Sequence, residues 1–535
     1  MMRPAATIAA RALRPASFRW IRPATTSLIR RPATSSSSFR SFITATAPRR
    51  QEERKWSTPL AKQLFEAISL TGPVPLASYM RMCLTGDLGG YYTGAIGEGR
   101  DQFGTKGDFV TSPEISQIFG ELIGVWFIAE WISQGRPKTG VQLIEVGPGR
   151  GTLMDDMLRT IQRFPAMASS IDAVYMVEAS RELREAQKDL LCGPGAHSTE
   201  SKAGYHSTSK YGDRPIVWTE TIKSIPIEPS KMPFIVAHEF FDALPIHSFQ
   251  AAESKSSPKT PSATAGSPDA SAEASTADEP SSPTSLADPT PPAMEWREMM
   301  VSPTPPGATH ADLKTPKSEQ HEPVPEFQLI LSSAPTRHSR YVPESSPRYR
   351  QLKQIPGAVV EVCPDASLYA TDFATRIGGS PQHPKAQPSG AALIIDYGTS
   401  DTVPVNSLRG IRHHRRVNPF SAPGLVDLSA DVDFTAIAEA ATAASTGVEV
   451  HGPIRQGDFL ELMGIRERAE MLAKTPGLSE EAARNMDKSW KRLVDRGPGG
   501  MGKVYKALSI LPENDGRRRP VGFGGDVWEK SSSEA

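Results

Sequence analysis

Val141-Gln-Leu-Ile-Glu-Val-Gly-Pro-Gly-Arg-Gly-Thr-Leu-Met-Asp-Asp-Met-Leu158 is the stretch that decides the fold. Its first six residues form an apolar run that suits a buried parallel strand. Gly147, Gly149 and Gly151 follow at every second position, where glycine permits a sharp turn and a close approach of a ligand. Apolar residues at helical spacing come next. The stretch predicts strand, tight loop and helix, although alone it fits an ordinary strand-to-helix turn equally well.

Glu145 stands two residues before the first of these glycines. The spacing differs from the G-x-G-x-x-G of dinucleotide-binding loops, and an acid at the strand end disfavours a pyrophosphate and favours a cation. S-adenosyl-L-methionine carries a sulfonium and an α-ammonium but no phosphate. The pattern therefore favours this cofactor over NAD, with Glu145 and the three glycines as its predicted binding residues.

A second apolar run, residues 173–177, ends in Glu178. In a βαβ unit, an acid at the end of the second strand is placed to accept hydrogen bonds from both ribose hydroxyls. A solvated acid at a strand terminus gives the same local pattern. The two acids together favour nucleoside binding, and Glu178 is the fifth predicted cofactor-binding residue.

Composition restricts the class of protein. The 535 residues, 38% of them hydrophobic, are enough for two or three domains with a sizeable core. Cys83, Cys192 and Cys363 are far apart in sequence and form neither a disulfide framework nor a zinc-binding spacing, so a reduced, metal-free interior is predicted. No apolar run reaches the length of a membrane span.

The N-terminus has a composition of its own. Residues 1–50 contain ten arginines, no lysine and no acidic residue, which predicts a mitochondrial transit peptide; a disordered basic tail is the alternative. Without those ten arginines, the chain keeps 50 of its 60 basic residues against 60 acidic ones, a net charge of −10. An acidic mature chain argues against nucleic acid as the main partner, because phosphate binding needs an excess of Lys and Arg.

The rest of the chain predicts an α/β protein with interruptions. We expect an N-terminal helical region at 51–135, including a helix that Ser112 caps and that buries Val125, and a sheet domain at 136–512. Residues 254–292 are almost devoid of large apolar side chains, so disordered insertions are predicted at 251–293 and 302–325, and a tail at 513–535. The basic run 408–416 is interpreted as a solvated face.

An apolar strand at 234–237 runs into His238-Glu-Phe-Phe-Asp-Ala-Leu-Pro245. Doubly wound enzymes place their chemistry at this position, beyond the carboxyl end of a strand. Glu239 and Asp242 are spaced one helical turn apart. Together they are the predicted carboxylates of a catalytic site, with His238 beside them.

Five stretches together resemble the MidA family of class I S-adenosyl-L-methionine-dependent methyltransferases: 103–121, 145–151, 238–245, 396–398 and 427–434. The resemblance covers residues 55–250, 294–301 and 327–512, and departs in the Ser/Pro-rich insertions. It implies a Rossmann-like, mixed but mostly parallel methyltransferase sheet with an N-terminal helical extension. It further implies a mitochondrial matrix enzyme that symmetrically dimethylates an arginine in the 49 kDa-type catalytic subunit of complex I, an NADH dehydrogenase iron-sulfur protein, during assembly.

The residues are compatible with that chemistry. An arginine guanidinium is always charged, so a methyltransferase acting on it must hold it with carboxylates. Glu239 and Asp242 could form this clamp and His238 could take the released proton; alternatively, Glu239 caps a helix or orients the cofactor ammonium, and His238 is packed. Two other functions remain: an assembly chaperone that binds the cofactor without catalysis, or a methyltransferase of another substrate, such as a small molecule or nucleic acid.

Overall fold

Three sheets and their covering helices make up the part of the chain that the computed structural model describes, residues 54–93, 107–108, 110–254 and 293–524. The predicted transit peptide lies outside these residues, as does most of the predicted insertion at 251–293. Within the described ranges, no helix is long and apolar enough to cross a membrane.

Fourteen α-helices and eighteen strands are assigned in the described ranges. The helices are α1 (Pro59–Thr71), α2 (Leu76–Thr85), α3 (Ser112–Ile115), α4 (Gln117–Ser133), α5 (Thr152–Ile161), α6 (Pro165–Ala168), α7 (Arg181–Cys192), α8 (Arg337–Tyr341), α9 (Pro347–Leu352), α10 (Pro364–Gly378), α11 (Phe434–Ala444), α12 (Gln456–Leu462), α13 (Ile465–Ala473) and α14 (Glu480–Val494). The strands are β1 (Val74–Pro75), β2 (Val141–Val146), β3 (Ile171–Val177), β4 (Thr199–Ser201), β5 (Gly204–Thr208), β6 (Pro215–Thr219), β7 (Met232–His238), β8 (His247–Glu253), β9 (Met294–Pro303), β10 (Phe327–Leu331), β11 (Val359–Val362), β12 (Ala391–Thr399), β13 (Arg409–Arg412), β14 (Arg415–Val417), β15 (Asp427–Ser429), β16 (Val432–Asp433), β17 (Val448–Arg455) and β18 (Tyr505–Pro512).

The central sheet has the strand order β17-β18-β12-β7-β2-β3-β6-β5-β4, with β16 beside β12. Its middle five strands, from β12 to β6, are parallel, and antiparallel strands extend both ends. Every residue of β2 and β7 is buried, as expected for strands covered on both faces. The predicted mixed, mostly parallel sheet is confirmed.

Helices cover both faces of this sheet. On one face, α4 and α5 contribute Phe119, Trp126 and Met157 to the core. On the other face, α10 and α11 contribute Phe373 and Phe434. The chain leaves β2 toward β3 on one side, whereas β7 and β12 lie on the other side. The topological switch point therefore lies between β2 and β7, where open α/β sheets bind ligands.

A second, antiparallel sheet of order β1-β9-β8-β11, with β10 beside β9, carries the N-terminal helices. Leu64 of α1 and Tyr79 of α2 share a buried cluster with Val301 and Phe327 of this sheet. Strands β9 and β10, on either side of the second predicted insertion, pair with each other. A small third sheet, β14-β13-β15, belongs to the basic run and the segment after it.

Two segments expected to lack structure are folded. Residues 304–326 follow β9 as an ordered loop in which Thr304, Thr315 and Glu319 are buried, and Glu319 accepts a hydrogen bond from Asn418 Nδ2 at 3.1 Å. Strand β8 also continues to Glu253, inside the predicted insertion. Polar contacts such as the hydrogen bond between Asn418 and Glu319 hold residues 304–326 in place. A composition poor in apolar residues does not reveal such contacts.

The predicted tail is also ordered over residues 513–524. Arg518 forms an ion pair with the fully buried Glu130 of α4 at 2.5 Å, and Trp126 Nε1 donates to Val521 O at 3.0 Å. Phe523 lies in the main core. An ion pair, a hydrogen bond and one core side chain together thus hold this segment in place.

The helix predicted to start at Ser112 differs in detail. Thr111 is the N-cap of the short helix α3 and forms a capping box with Glu114, whereas Ser116 caps the long helix α4. Val125, predicted to be buried, is 38% exposed. Ser116 has an extended backbone, so α3 and α4 are two separate helices.

Candidate active site

A cavity of about 470 Å³ lies at the switch point, over the carboxyl ends of β2 and β7. Seven of the eight predicted site residues line it: Glu145, Gly147, Gly149, Glu178, His238, Glu239 and Asp242. The eighth, Gly151, is the N-cap of α5 and packs against Gln187. The two motifs, distant in sequence, therefore form one site.

The glycine loop has the conformation that its sequence requires. Gly147, Gly149 and Gly151 have φ angles of +66°, +53° and +82°, a region that side-chain-bearing residues rarely adopt. A Cβ atom at Gly147 would lie 2.6 Å from the ring of Phe240 in the loop after β7. Glycine therefore permits both the turn and the close contact between the two loops that form the cavity.

Glu145 is buried at the base of the cavity, and its Oε2 has no hydrogen-bond partner among the described residues. Burial, with a smaller contribution from the charge of Glu178, raises its pKa well above the usual value. An unpaired buried carboxylate oxygen is costly unless a ligand satisfies it. A cationic ligand group in the cavity would meet this requirement.

Glu178 is held by a network that local sequence patterns do not reveal. Its Oε1 accepts from Ser180 N at 2.8 Å, and its pKa is raised to about 7 by burial. Gln187 Nε2 donates to Gly149 O at 2.6 Å and lies 3.4 Å from Glu178 Oε2, while Gln187 Oε1 accepts from Trp218 Nε1 at 3.0 Å. Gln187, fully buried on a largely polar helix, thus links the glycine loop to the second acid.

The segment after β7 is a loop and not the helical turn predicted for Glu239 and Asp242. Asp396 Oδ2, from the neighbouring strand β12, accepts hydrogen bonds from three successive backbone N–H groups, of Phe240 at 3.0 Å, Phe241 at 2.8 Å and Asp242 at 3.3 Å. Glu239 itself has a φ of +50°. Because these amides are drawn to one carboxylate, the chain wraps around Asp396.

We expect Asp396→Ala to destabilise the protein by about 3 kcal/mol or more, because each buried amide left without an acceptor costs about 1–3 kcal/mol. Urea unfolding followed by circular dichroism measures the effect. Asp401→Ala, at an exposed position shortly after the same strand, is the control and should change stability little. Equal unfolding midpoints for the two variants would show that Asp396 does not hold the loop.

Glu239 lies between two elements of the cavity wall. Tyr505 Oη donates to its Oε1 at 2.9 Å, and the backbone N–H of Ser112, at the start of α3, also donates to the carboxylate. Tyr505 in turn contacts the hydroxyl of Tyr397, its direct neighbour across the β12–β18 pair. Burial, followed by the charge of Asp242, raises the pKa of Glu239 to about 8.

His238 is packed against aromatic rings. Its ring lies 5.0 Å from that of Phe119 and 6.4 Å from that of Tyr505, nearly parallel to the latter. Its Nε2 is buried 3.5 Å from Glu239 Oε1, without a hydrogen bond in the described part of the chain. Burial lowers its pKa to about 3, so the imidazole is neutral and a weak proton acceptor. This geometry favours the packing alternative over the predicted proton transfer.

Asp242 faces the ion pair between Arg409 and Asp431. Arg409 belongs to the basic run that is interpreted from sequence as a solvated face. Arg409, in the basic run, lines the cavity, forms an ion pair with Asp431 at 2.6 Å and lies 5.1 Å from the centre of the Tyr397 ring. Burial raises the pKa of Asp242, and the charge of Arg409 opposes this. The solvated-face interpretation is therefore wrong for Arg409, because its partners lie far away in sequence.

Asp427 completes the acidic wall. It is buried in the cavity lining, accepts from Tyr92 Oη at 2.8 Å, and has its pKa raised to about 7 by burial and by the charge of Asp242. Glu239, Asp242 and Asp427 thus line one region of the cavity together with Tyr92 and Tyr397. Buried carboxylates between aromatic rings suit a flat cation.

The chain is similar to known methyltransferases. A family model for S-adenosyl-L-methionine-dependent methyltransferases matches residues 122–454. A protein named protein arginine methyltransferase NDUFAF7, mitochondrial, from Rattus norvegicus is 33% identical over 462 residues, 85% of each chain. The Homo sapiens protein of the same name is 32% identical over 462 residues, 85% of this chain and 84% of that one. A Drosophila melanogaster homologue is 32% identical over 460 residues, 85% of each.

A solved structure has the same fold. A protein from Burkholderia thailandensis, crystallised with S-adenosyl-homocysteine, aligns with a TM-score of 0.56. The two sequences are 21% identical, and the alignment covers 88% of this chain and 93% of that one. The shared architecture agrees with the mixed sheet described above.

Proposed function

Because the chain belongs to the MidA-like family of S-adenosyl-L-methionine-dependent methyltransferases, we propose that it methylates an arginine side chain of a protein, with Glu239 and Asp242 holding the guanidinium. The observation that carries the proposal is the acidic, aromatic wall beside the glycine loop. Neither a chaperone nor a methyltransferase of nucleic acid accounts for this wall: a chaperone needs no buried cation site, and a nucleic acid would meet repelling carboxylates.

The residues fit the cofactor. S-adenosyl-L-methionine, when bound, supplies an electrophilic methyl group on a sulfonium. Glu145, with its unpaired buried oxygen, would accept a hydrogen bond from the α-ammonium, and Glu178 would accept from the ribose hydroxyls. Gly147 and Gly149, with their positive φ angles, shape the loop so that it lines the cavity. We propose these roles for all five predicted cofactor-binding residues, with Gly151 acting through the start of α5.

The substrate side of the cavity would hold and orient a guanidinium. The carboxylates of Glu239 and Asp242 can accept its N–H groups, and Tyr397 lines the same cavity. Holding one nitrogen in line with a methyl group converts an encounter between two molecules into a positioned reaction. Burial of both carboxylates strengthens the attraction, since little water screens it.

Glu239 is the better candidate for the proton acceptor. A guanidinium nitrogen that gains a methyl group must lose a proton, and a carboxylate whose pKa is raised to about 8 is a stronger base than an ordinary one. Tyr505 and Ser112 N–H hold Glu239 in place. His238, whose pKa is lowered, would instead support this arrangement by packing.

We expect kcat/KM for methyl transfer to rise with pH up to about 8, because the carboxyl of Glu239 is protonated below that pH and can neither hold the guanidinium nor accept a proton. In the pH profile of kcat, the apparent pKa of Glu239 should be lower, because the positive charges of the bound cofactor and guanidinium favour the ionised carboxylate. A rate profile between about pH 6.5 and 9.5 measures both. Glu239→Gln should lose the dependence, and Glu66→Gln, on the exposed face of α1, should keep it.

We propose, further, that the substrate is the 49 kDa-type catalytic subunit of complex I, that the product is symmetric dimethylarginine, and that the reaction takes place in the mitochondrial matrix. The arginine-rich N-terminus and the mitochondrial names of the relatives support the compartment. The test is mass spectrometry of complex I subunits from cells lacking this protein. Loss of methylation at one arginine of that subunit is expected; an unchanged methylation pattern would refute the substrate.

Cells lacking this protein also allow a catalytic role to be distinguished from a chaperone role. Reintroducing the Asp242→Asn variant should restore neither the methylation nor assembly of the complex. If this variant restored assembly without methylation, the non-catalytic alternative would be correct. Immunoblots should show the variant at the wild-type level, so that its stability does not explain the outcome.

A further inference from the structure

Three potential metal ligands converge on the second sheet, outside the cavity. His247 is the first residue of β8, Glu298 lies in the middle of β9, and His338 lies on α8. One ligand atom from each lies within 4.8 Å of the other two. His247 Nδ1 is 2.9 Å and His338 Nδ1 is 3.3 Å from the same carboxylate oxygen, Glu298 Oε1. None of the three lines the cavity described above.

The cluster combines a buried charge with access from solvent. The side chain of Glu298 is fully buried, whereas that of His247 is 12% and that of His338 44% exposed. An ion could therefore reach the two imidazoles from the His338 side. The two rings lie 4.5 Å apart, and both direct Nδ1 toward one oxygen.

The surroundings of Glu298 hold it in position to act as a ligand. Thr336 Oγ1 donates a short hydrogen bond to the other carboxylate oxygen, Oε2, and Thr336 is itself fixed as the N-cap of α8. Oε1 is thus left facing the imidazoles. Hydrogen bonds of this kind, to the non-ligating oxygen, orient carboxylate ligands in metal sites.

We propose that His247, Glu298 and His338 bind one Zn²⁺ ion, with water as the fourth ligand. Two imidazoles and one carboxylate are a ligand set that zinc accepts, whereas Mg²⁺ and Ca²⁺ prefer oxygen alone. Zinc bonds of about 2.0–2.2 Å place tetrahedral ligand atoms about 3.3–3.6 Å apart. The two imidazole nitrogens lie 2.9 and 3.3 Å from Glu298 Oε1. The ion neutralises the buried carboxylate and fastens α8 to strands β8 and β9.

The sequence predicts no metal, because the cysteines carry no zinc-binding spacing and the three ligands are far apart. His247 precedes Glu298 by 51 residues, and residues 255–292 of the insertion stand between them. Only the antiparallel pairing of β8 with β9, which sets Phe249 opposite Glu298, brings them together. The proposal is independent of the methyltransferase assignment.

Calorimetric titration of Zn²⁺ into the full-length protein, stripped of metal with EDTA, tests the proposal. One equivalent should bind to the wild-type protein, and Co²⁺ in its place should give the visible absorption of a tetrahedral site. His338→Gln should abolish this binding, and Thr336→Val should weaken it about 10–100-fold. His321→Gln, an exposed histidine beside Glu322, is the matched control and should bind like the wild type.

Thermal unfolding supplies a second measurement. Zn²⁺ should raise the Tm of the wild type and of His321→Gln, but not that of His338→Gln. Because His338 is half-exposed, its replacement should leave the protein folded without zinc, and equal Tm values without metal verify this. Absence of stoichiometric binding to the wild type, or equal binding by His338→Gln, would show that the cluster is held by hydrogen bonds only.

Discussion

Gly149→Val is expected to weaken binding of S-adenosyl-L-methionine by at least about 100-fold, which corresponds to a loss of about 2.8 kcal/mol of binding free energy. Gly149 has a φ of +53° in the loop that follows β2, and its carbonyl is fixed by Gln187. A branched side chain is strained in this conformation, and Gly149 lines the cavity. Calorimetry with the purified protein measures the loss.

Gly135→Val is the control for Gly149→Val. Gly135 also has a positive φ, of +90°, and a Cβ there meets no atom within 4 Å. The control therefore shares the backbone strain but leaves the cavity unchanged, and it should bind the cofactor with wild-type affinity. If Gly149→Val bound equally well, the glycine loop would not be the cofactor site.

Asp242→Asn is expected to reduce the rate of methyl transfer about 100- to 1000-fold, as for loss of one charged group that stabilises a transition state. The amide keeps the shape of Asp242, and its backbone N–H can still donate to Asp396. Affinity for the cofactor should stay within about 2-fold, because the change lies on the substrate side. Single-turnover transfer to the purified subunit measures the rate, and calorimetry the affinity.

Asp172→Asn is the matched control for this variant. Asp172 pairs with Lys231 at 2.8 Å near the amino end of β3, the end of the sheet opposite the cavity. The control removes a carboxylate from the same sheet and should retain full activity. Wild-type transfer by Asp242→Asn would exclude the proposed clamp, whereas loss of cofactor binding would move Asp242 to the cofactor side.

The parts of the site predicted from sequence are those determined by local residues. The continuous apolar run of the strand, the glycines with positive φ and the start of the helix all lie within the eighteen residues from Val141 to Leu158, so the strand, loop and helix could be predicted there. The acid at the end of β3 follows from the same βαβ geometry. These features need no knowledge of the remaining chain.

The residues that sequence analysis missed depend on distant contacts. Arg409 is indistinguishable from its solvated neighbours until Asp431 and Tyr397 lie beside it. Gln187 lies on a polar helix, and its role arises from Trp218 and Gly149. Likewise, the spacing of Glu239 and Asp242 alone indicates a helical turn. The hydrogen bonds to the distant Asp396 make the segment a loop instead. A local sequence pattern does not reveal contacts between residues that lie so far apart in the sequence.

The hydrogen bonds of Asp396 to the loop after β7 have a consequence for the order in which the site can form. The proposed cofactor half, with Glu178 and Gln187, has been synthesised by residue 187, but the proposed substrate half needs Asp396, and Glu239 needs Tyr505, which comes much later in the chain. During synthesis, which runs from the N-terminus, a partial chain can therefore carry a finished nucleoside site with no means of holding an acceptor. On the proposed roles, activity becomes available only once β18, the last strand of the described ranges, has joined the sheet.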